Sequence, residues 1–180
     1  MRIGVDLGGT KIEIIALDDN GATVLKRRVQ TPMGDYAGTV RTIADLASSA
    51  QSQIGASATV GIATPGTLSP QSGLLRNSNS VVLNGKPLDR DLGDALGQPV
   101  RLENDANCLA ISEATDGAGA GYRVVFGAIL GTGVGGGIVI EGRILTGLNR
   151  IGGEWDIVRF HGPQKTSVQD TGVTAANTVV

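Results

Sequence analysis

The chain has 180 residues, enough for one domain with a substantial core or for two small lobes. Fifteen Lys and Arg against seventeen Asp and Glu give a net charge of −2 without a basic block, which argues against nucleic acid as a partner. The single cysteine, Cys108, excludes an internal disulfide and a cysteine-rich zinc site. Because no apolar run approaches about 20 residues and no signal core follows Met1, we expect a cytoplasmic protein without a membrane partner.

The N-terminal segment predicts three antiparallel strands, over 2–7, 11–17 and 22–30. The second connection ends in Asn20-Gly21, which is a strong hairpin signal. The chain therefore opens as a meander, and its first connection is a Gly-Gly turn.

This first turn belongs to the run Asp6-Leu7-Gly8-Gly9-Thr10-Lys11. Two glycines let backbone N–H groups come close to phosphate oxygens, while Thr10 adds a hydroxyl and Lys11 a positive charge. Asp6 suits such a site if Mg²⁺ lies between its carboxylate and the phosphate. An ordinary hairpin turn with a salt-bridged Asp6 explains the same residues, so the motif alone leaves both interpretations open.

The next region predicts a helix, a buried strand and a loop. Apolar residues spaced by three and four run from Tyr36 to Ile54, between Asp35 as N-cap and Gly55 as a stop signal. Residues 58–63 predict a strand that leads into Thr64-Pro65-Gly66-Thr67. A loop at the carboxyl end of a strand is where open α/β sheets bind ligands.

A short helix over 89–96 and a strand over 99–102 precede a polar pair, Asn104 and Asp105. A helical run to Ala114 follows, so one of the pair begins that helix. Asp105 could accept the proton of an attacking alcohol in phosphoryl transfer. An isolated pair is better explained as a plain N-cap, but the glycine turns on either side of it in the sequence favour the catalytic interpretation.

A second glycine cluster, at 131–137, lies between strand-like runs over 123–130 and 137–146. Gly131, Gly133 and Gly136 satisfy G-x-G-x-x-G, the pattern of a dinucleotide site. That site needs a helix after the glycines, whereas a β-rich run follows here. The cluster therefore predicts a second phosphate-binding hairpin.

Six motifs in this order resemble the ROK family of sugar kinases and repressors, in the actin-like ATPase superfamily. The closest resemblance within it is to the bacterial fructokinase or mannokinase type, over about residues 1–155. The motifs are D-L-G-G-T-K at 6–11, T-P-G-T at 64–67, N-S-N-S-V-V-L-N-G at 77–85, E-N-D-A-N-C-L-A at 103–110, L-G-T-G-V-G-G-G at 130–137 and G-G-E-W at 152–155.

The resemblance implies an α/β fold: an actin-like ATPase (ribonuclease H-like) lobe with a mixed sheet over 1–117, and the start of a second lobe over 118–155. It implies ATP-dependent phosphorylation of the 6-hydroxyl of a hexose, fructose or mannose, with Mg²⁺, for which Asp6 is the candidate ligand. Asp105 would be the catalytic base. Gly8, Gly9, Thr10 and Lys11 would form the first phosphate motif and Gly131, Thr132, Gly133 and Gly135 the second, while Asn104, Glu154, Gly66, Thr67 and Asn79 would bind the sugar.

After Glu154-Trp155 the sequence departs from the family, which continues with a zinc-binding His and a Cys-rich zinc motif. We therefore expect no structural zinc, because His161 alone cannot complete a tetrahedral site. We expect 156–180 to be a divergent, disordered tail, and our hypothesis is that it comes from a frameshifted or truncated gene. The apolar strands over 123–146 would then face water or a second copy of the chain, which predicts a homo-oligomer or aggregation.

Two other functions stay open beside the kinase. A sugar-responsive regulator of the same family would begin with a helix-turn-helix, whereas this chain begins at its first strand. A non-catalytic remnant or binding fragment would carry the same motifs without turnover. Glucose and N-acetylglucosamine are the alternative substrates.

Overall fold

The computed structural model describes residues 1–130 and 134–154. Its elements follow the predicted order, with two short strands and a 3₁₀ turn in addition. The strands are β1 (Arg2–Leu7), β2 (Lys11–Leu17), β3 (Thr23–Gln30), β4 (Thr59–Thr64), β5 (Thr67–Leu68), β6 (Leu75–Arg76), β7 (Val100–Asn104), β8 (Val124–Leu130), β9 (Val134–Ile140) and β10 (Arg143–Ile144); the helices are α1 (Tyr36–Ile54), α2 (Leu88–Leu96) and α3 (Asp105–Thr115), and the 3₁₀ turn spans Val81–Leu83.

The main sheet is mixed, with the strand order β3-β2-β1-β4-β7. The first three strands form the expected antiparallel meander, while β4 and β7 run parallel to β1. A parallel neighbour requires a crossover connection, and α1 and α2 supply the two crossovers. This confirms the α/β mixed-sheet architecture that the sequence indicated.

One face of the main sheet forms the core. Alternate residues of β1, namely Ile3, Val5 and Leu7, are buried, and Ile43 and Ala47 of α1 are fully buried in the same cluster. The larger of these side chains, those of Ile, Val and Leu, each contribute about 1.5–3 kcal/mol of burial free energy. The predicted caps of α1 are present: the Asp35 carboxylate accepts from the Gly38 N–H at 2.8 Å, and Gly55 has φ +64°.

A second, three-stranded sheet has the order β10-β9-β8, and α3 packs against it. Strand β9 begins at Val134, inside the glycine cluster, rather than at residue 137 as the sequence predicted. The β-rich run over 137–146 is broken, as the Glu-Gly pair in the sequence indicates, by a turn at Glu141 and Gly142 that divides it into β9 and β10. Glu141 adopts φ +50° and Gly142 φ +75°, left-handed values that a continuous strand cannot contain.

The face of β8 turned away from α3 leaves large apolar side chains open to solvent. Val124 is 63% exposed and Leu130 is 70% exposed, with Phe126 half-exposed between them. This is the exposure that the sequence predicted for this segment. Among the described residues, no helix has the length and apolarity needed to cross a membrane. The proposed tail, 156–180, lies outside the described residues.

Candidate functional site

One cleft of about 1140 Å³ lies where the carboxyl ends of β1, β4 and β7 approach the second sheet. Its wall contains most of the described residues that the sequence assigned to phosphate, sugar and catalysis. These are Gly8, Gly9, Thr10, Gly66, Thr67, Asn79, Asn104, Asp105, Gly135 and Glu154.

Several predicted residues do not line this cleft or cannot be placed. Lys11 and Asp6 flank the first turn but are not part of the cleft wall. Gly131, Thr132 and Gly133 lie outside the described residues. The residues on either side of them are described, and Leu130 pairs with Val134 where β8 ends and β9 begins.

The Gly-Gly turn is held in place by hydrogen bonds of its own backbone. The Gly8 N–H donates to the carbonyl oxygen of Lys11 at 2.9 Å, so this N–H closes the turn. Thr31, the residue directly after β3, fixes the turn, because its N–H donates to the Thr10 carbonyl at 3.0 Å and its hydroxyl to the Gly8 carbonyl at 2.8 Å. Gly9 and Thr10 are therefore the exposed residues of a rigid turn that faces the cleft.

Gly66 occupies a position that only glycine fits. Its φ is +89°, and a Cβ there would lie 2.9 Å from the Ser78 nitrogen and closer still to the Arg76 carbonyl oxygen. The loop after β4 and the segment after β6 thus touch backbone to backbone. This contact brings Asn79 onto the same wall as Gly66 and Thr67.

Asn104 is the N-cap of α3. Its Oδ1 accepts from the Asn107 N–H at 3.1 Å, and its Nδ2 donates to the Gly66 carbonyl at 3.3 Å. Asn104 is also buried, with 6% of its surface exposed. Asn104, which the sequence predicts to bind the sugar, therefore also connects the loop after β4 to the start of α3.

Asp105 is the first residue of α3, and its Oδ1 accepts from the Ala106 N–H at 2.8 Å. Partial burial raises the pKa of its carboxyl, and the hydrogen bonds from backbone N–H groups and from Asn104 oppose that rise. A carboxylate with a raised pKa is a stronger base than a solvated one. Because Asp105 lines the cleft, a molecule bound in the cleft can reach this basic carboxylate.

Asp6 lies near enough to Asp105 for their charges to interact. The pKa of Asp6 is raised by partial desolvation, then by the negative charges of Asp105 and Glu13, while Arg28 lowers it. Asp6 and Glu13 are cross-strand partners, and Glu13 in turn pairs with Arg28. Excess negative potential at Asp6 favours a bound cation.

This chemistry fits Mg²⁺. In the part of the chain that the structure describes, no three His, Cys, Asp or Glu side chains gather into a complete metal site. Mg²⁺ needs only one or two carboxylates when phosphate oxygens and water supply the remaining ligands. Asp6 meets that requirement, because it lies two residues before the Gly8-Gly9-Thr10 turn and close enough to Asp105 for the two charges to interact.

Glu13 itself is held by two cations. Lys26 Nζ lies 2.9 Å from its Oε1, and Arg28 Nε donates to its Oε2 at 2.5 Å. These hydrogen bonds, that of Lys26 first, hold the pKa of Glu13 below its usual value. The sequence does not reveal this cluster, because it depends on the register of β2 against β3.

The cleft also contains residues that the sequence analysis did not identify. Thr31 and Met33 follow β3, Val81 lies in the 3₁₀ turn, and Ile151 lies beside Glu154. Met33 and Val81 are highly exposed apolar side chains. Only Thr31 carried a usable signal, since pairing Lys11 with Gln30 places the next residue beside the turn.

The chain is similar to proteins of one family over most of its length. The family model described as "ROK family" matches residues 2–164, a range that extends past the limit near residue 155 that the motifs indicated. The N-acetyl-D-glucosamine kinase of Haemophilus influenzae is 44% identical over 154 residues, covering 86% of this chain and 51% of that protein. The Vibrio cholerae protein of the same name is 45% identical over 154 residues, again covering 86% of this chain and 51% of that protein.

Solved structures are similar over the same region. A ROK hexokinase from Thermus thermophilus has a TM-score of 0.74 and 36% identity, covering 85% of this chain and 51% of that one. A ROK family glucokinase from Streptomyces griseus, solved with glucose and AMPPNP, has a TM-score of 0.76 and 33% identity, covering 85% and 48%. The chain spans about half the length of these relatives. From its motifs, its fold and the family match over most of its length, the chain belongs to the ROK family.

Proposed function

We propose that this chain carries the phosphate turn, the base and part of the sugar pocket of an ATP-dependent hexose kinase. The observation that supports this most is the shared cleft. One wall contains the Gly8-Gly9-Thr10 turn, Asp105 and the flank of the β8–β9 hairpin, although these segments are far apart in the sequence. Phosphoryl transfer requires that groups that bind the phosphates and a group that accepts the proton lie in the same site.

In the proposed reaction Asp105 accepts the proton of the sugar hydroxyl. The hydroxyl oxygen forms a bond to the terminal phosphorus of ATP, the bond from that phosphorus to the bridging oxygen breaks, and ADP leaves. Burial raises the pKa of Asp105 and so strengthens it as a base. The Ala106 N–H holds one of its oxygens and so restricts the orientation of the carboxylate.

The phosphate groups would lie against Gly9 and Thr10, whose backbone and hydroxyl face the cleft. Mg²⁺ held by Asp6 would supply positive charge that offsets the charge developing on the phosphate oxygens. Lys11 would add longer-range positive potential, since it does not line the cleft. Because the reaction consumes ATP, the proposed location is the cytoplasm.

We propose N-acetylglucosamine as the preferred sugar, in place of the fructose or mannose that the 77–85 motif indicated. Two relatives at 44% and 45% identity are named N-acetyl-D-glucosamine kinases, and both exceed the identity of the hexokinase and glucokinase structures. Gly66, Thr67, Asn79, Asn104 and Glu154 would contact the sugar. Fructose, mannose and glucose are the competing substrates.

A coupled ADP-release assay with N-acetylglucosamine, glucose, mannose and fructose tests this proposal. We expect the highest kcat/KM with N-acetylglucosamine, and a decrease in kcat of about 10²–10⁴-fold in Asp105→Asn. Asp45→Asn, on the exposed side of α1, is the matched control and should retain full activity. Nucleotide binding without sugar-dependent ADP release would reject the kinase and support a non-catalytic binding fragment.

A further inference from the structure

Helix α3 and the β8–β9 hairpin touch without side chains between their backbones. A Cβ on Gly137 would lie 2.7 Å from the Ala106 carbonyl oxygen, and one on Gly127 would lie 2.9 Å from the Ala110 Cα. Ordinary contacts of a Cβ begin at 3.4 Å. A methyl group at either glycine would therefore move the helix or the strand.

The backbone conformation of these glycines does not explain why they are glycines. None of Gly127, Gly135 and Gly137 has a positive φ, so an alanine could adopt the backbone conformation of each. They lie in regular strands, where glycine weakens the sheet through its entropy and its lack of a packing side chain. What requires glycine is the close approach of α3.

The contact is made next to the candidate base. Ala106 directly follows Asp105 and donates its N–H to the Asp105 carboxylate at 2.8 Å. The Ala106 Cβ would lie 3.2 Å from a Cβ on Gly135, which lines the cleft together with Asp105. The distance between helix and hairpin thus fixes where the carboxylate lies relative to the second phosphate hairpin.

We propose that Gly137 and Gly127 are positioning residues, which set the separation between Asp105 and the β8–β9 hairpin. Neither glycine lines the cleft, so each acts on phosphoryl transfer without touching nucleotide or sugar. This inference rests on the proposed kinase function. It also assigns the second glycine cluster a task beyond binding phosphate.

The test compares Gly137→Ala and Gly127→Ala with Gly61→Ala in the full chain. Gly61 is a strand glycine of β4 whose added Cβ would meet nothing within 4 Å, so it controls for the generic effect of the substitution. We expect kcat to fall by about 10 to 100-fold in the first two variants, because a misplacement of about 1 Å has an effect of that order. The KM for ATP should stay within about threefold, since the phosphate turn is untouched.

Cys108, the only cysteine, provides a readout that does not depend on turnover. It lies on α3, where partial burial raises the pKa of its thiol to about 12, which disfavours the reactive thiolate. Displacement of α3 should expose the thiol, so alkylation by iodoacetamide, followed by mass spectrometry, should be faster in Gly137→Ala than in Gly61→Ala. Circular dichroism gives the folded fraction of each variant.

A compensating pair separates positioning from general damage. Gly135→Ala introduces a methyl against the Ala106 Cβ, and Ala106→Gly removes that Cβ. We expect the double variant to return Cys108 alkylation to the rate of Ala106→Gly alone.

Equal kcat and equal alkylation rates in Gly137→Ala and Gly61→Ala would overturn the proposal, as would a loss of kcat no larger than the loss of folded protein. A wild-type chain without turnover would overturn the kinase function instead. The helix placement would then be judged by alkylation alone, where equal rates reject it.

Discussion

The side-chain amide of Asn104 donates to the carbonyl oxygen of Gly66 at 3.3 Å, which joins the loop after β4 to the first turn of α3. The other half of the same amide caps the helix through the Asn107 N–H. One side chain therefore stabilises the helix that presents Asp105 and holds the loop that forms the opposite part of the wall.

The two roles of Asn104 can be separated by substitution. Asn104→Ala removes both hydrogen bonds and should lower the free energy of unfolding by about 2 kcal/mol. Asn104→Ser keeps a capping oxygen but lacks the amide donor, so it should recover about half of that loss. Urea denaturation measures both, and equal stability of the two variants would contradict the division.

Gly66→Ala should destabilise the protein more than a positive φ alone explains. The added Cβ meets the backbone of Arg76 and Ser78, which cannot move independently of β6. Gly21→Ala is the matched control, because Gly21 has φ +84° and nothing within 4 Å of its Cβ position. We expect about 1 kcal/mol of destabilisation in the control and at least about 3 kcal/mol in Gly66→Ala, measured by urea denaturation. Similar losses of stability in Gly66→Ala and Gly21→Ala would show that the backbone at 76–78 can move away from the added methyl group at little cost in free energy.

Asp105→Asn should raise the melting temperature at neutral pH while it lowers kcat. The pKa of Asp105 is raised, so its ionised form is destabilising in the folded state, and the amide removes that cost. As the pH falls through the folded pKa, wild-type Asp105 becomes protonated and the cost disappears. The difference in melting temperature should therefore shrink on acidification, which calorimetry at several pH values would measure.

The same variant should also change Asp6. The charge of Asp105 is one cause of the raised pKa of Asp6, so NMR titration of Asp105→Asn should give a lower value for Asp6 than the wild type. An unchanged titration would place the two carboxylates too far apart to share a cation.

Glu13→Gln should lower the free energy of unfolding by about 1–2 kcal/mol at pH 7, because Lys26 and Arg28 lose a buried charged partner. The folded pKa of Glu13 lies below the ordinary glutamate value of 4.5, so the stabilisation is fully present above pH 4.5 and is lost as the pH falls through the folded pKa. Urea denaturation at pH 7 and at decreasing pH below 4.5 measures this, and the difference between Glu13→Gln and the wild type should shrink with acidification. Asp19→Asn, which removes an exposed partner of the Met1 ammonium, should change little.

The sequence predicted those elements whose signals are local. Asp35, Gly55 and the regular apolar spacing between them identified α1 almost to the residue, and Asn-Gly identified the hairpin between β2 and β3. Strands β5 and β6 have two residues each, too few to show any periodicity, so they were not predicted.

The remaining site features depend on long-range geometry. Gly135 and Gly137 were interpreted through phosphate chemistry, because nothing in a glycine run reveals that a helix thirty residues earlier packs on it. The cluster of Glu13, Lys26 and Arg28 requires the register of β2 against β3, which spacing alone does not fix. Met33 and Val81 lie on the wall only because two separate loops converge there.

The exposed row on β8 has a practical consequence for handling the protein. Exposing the apolar side chains of Val124, Phe126 and Leu130 to water is unfavourable in free energy, and sulfate makes it more so. The chain should therefore adsorb to a phenyl resin at ammonium sulfate concentrations that leave more polar proteins in the flow-through, and a mild detergent should elute it.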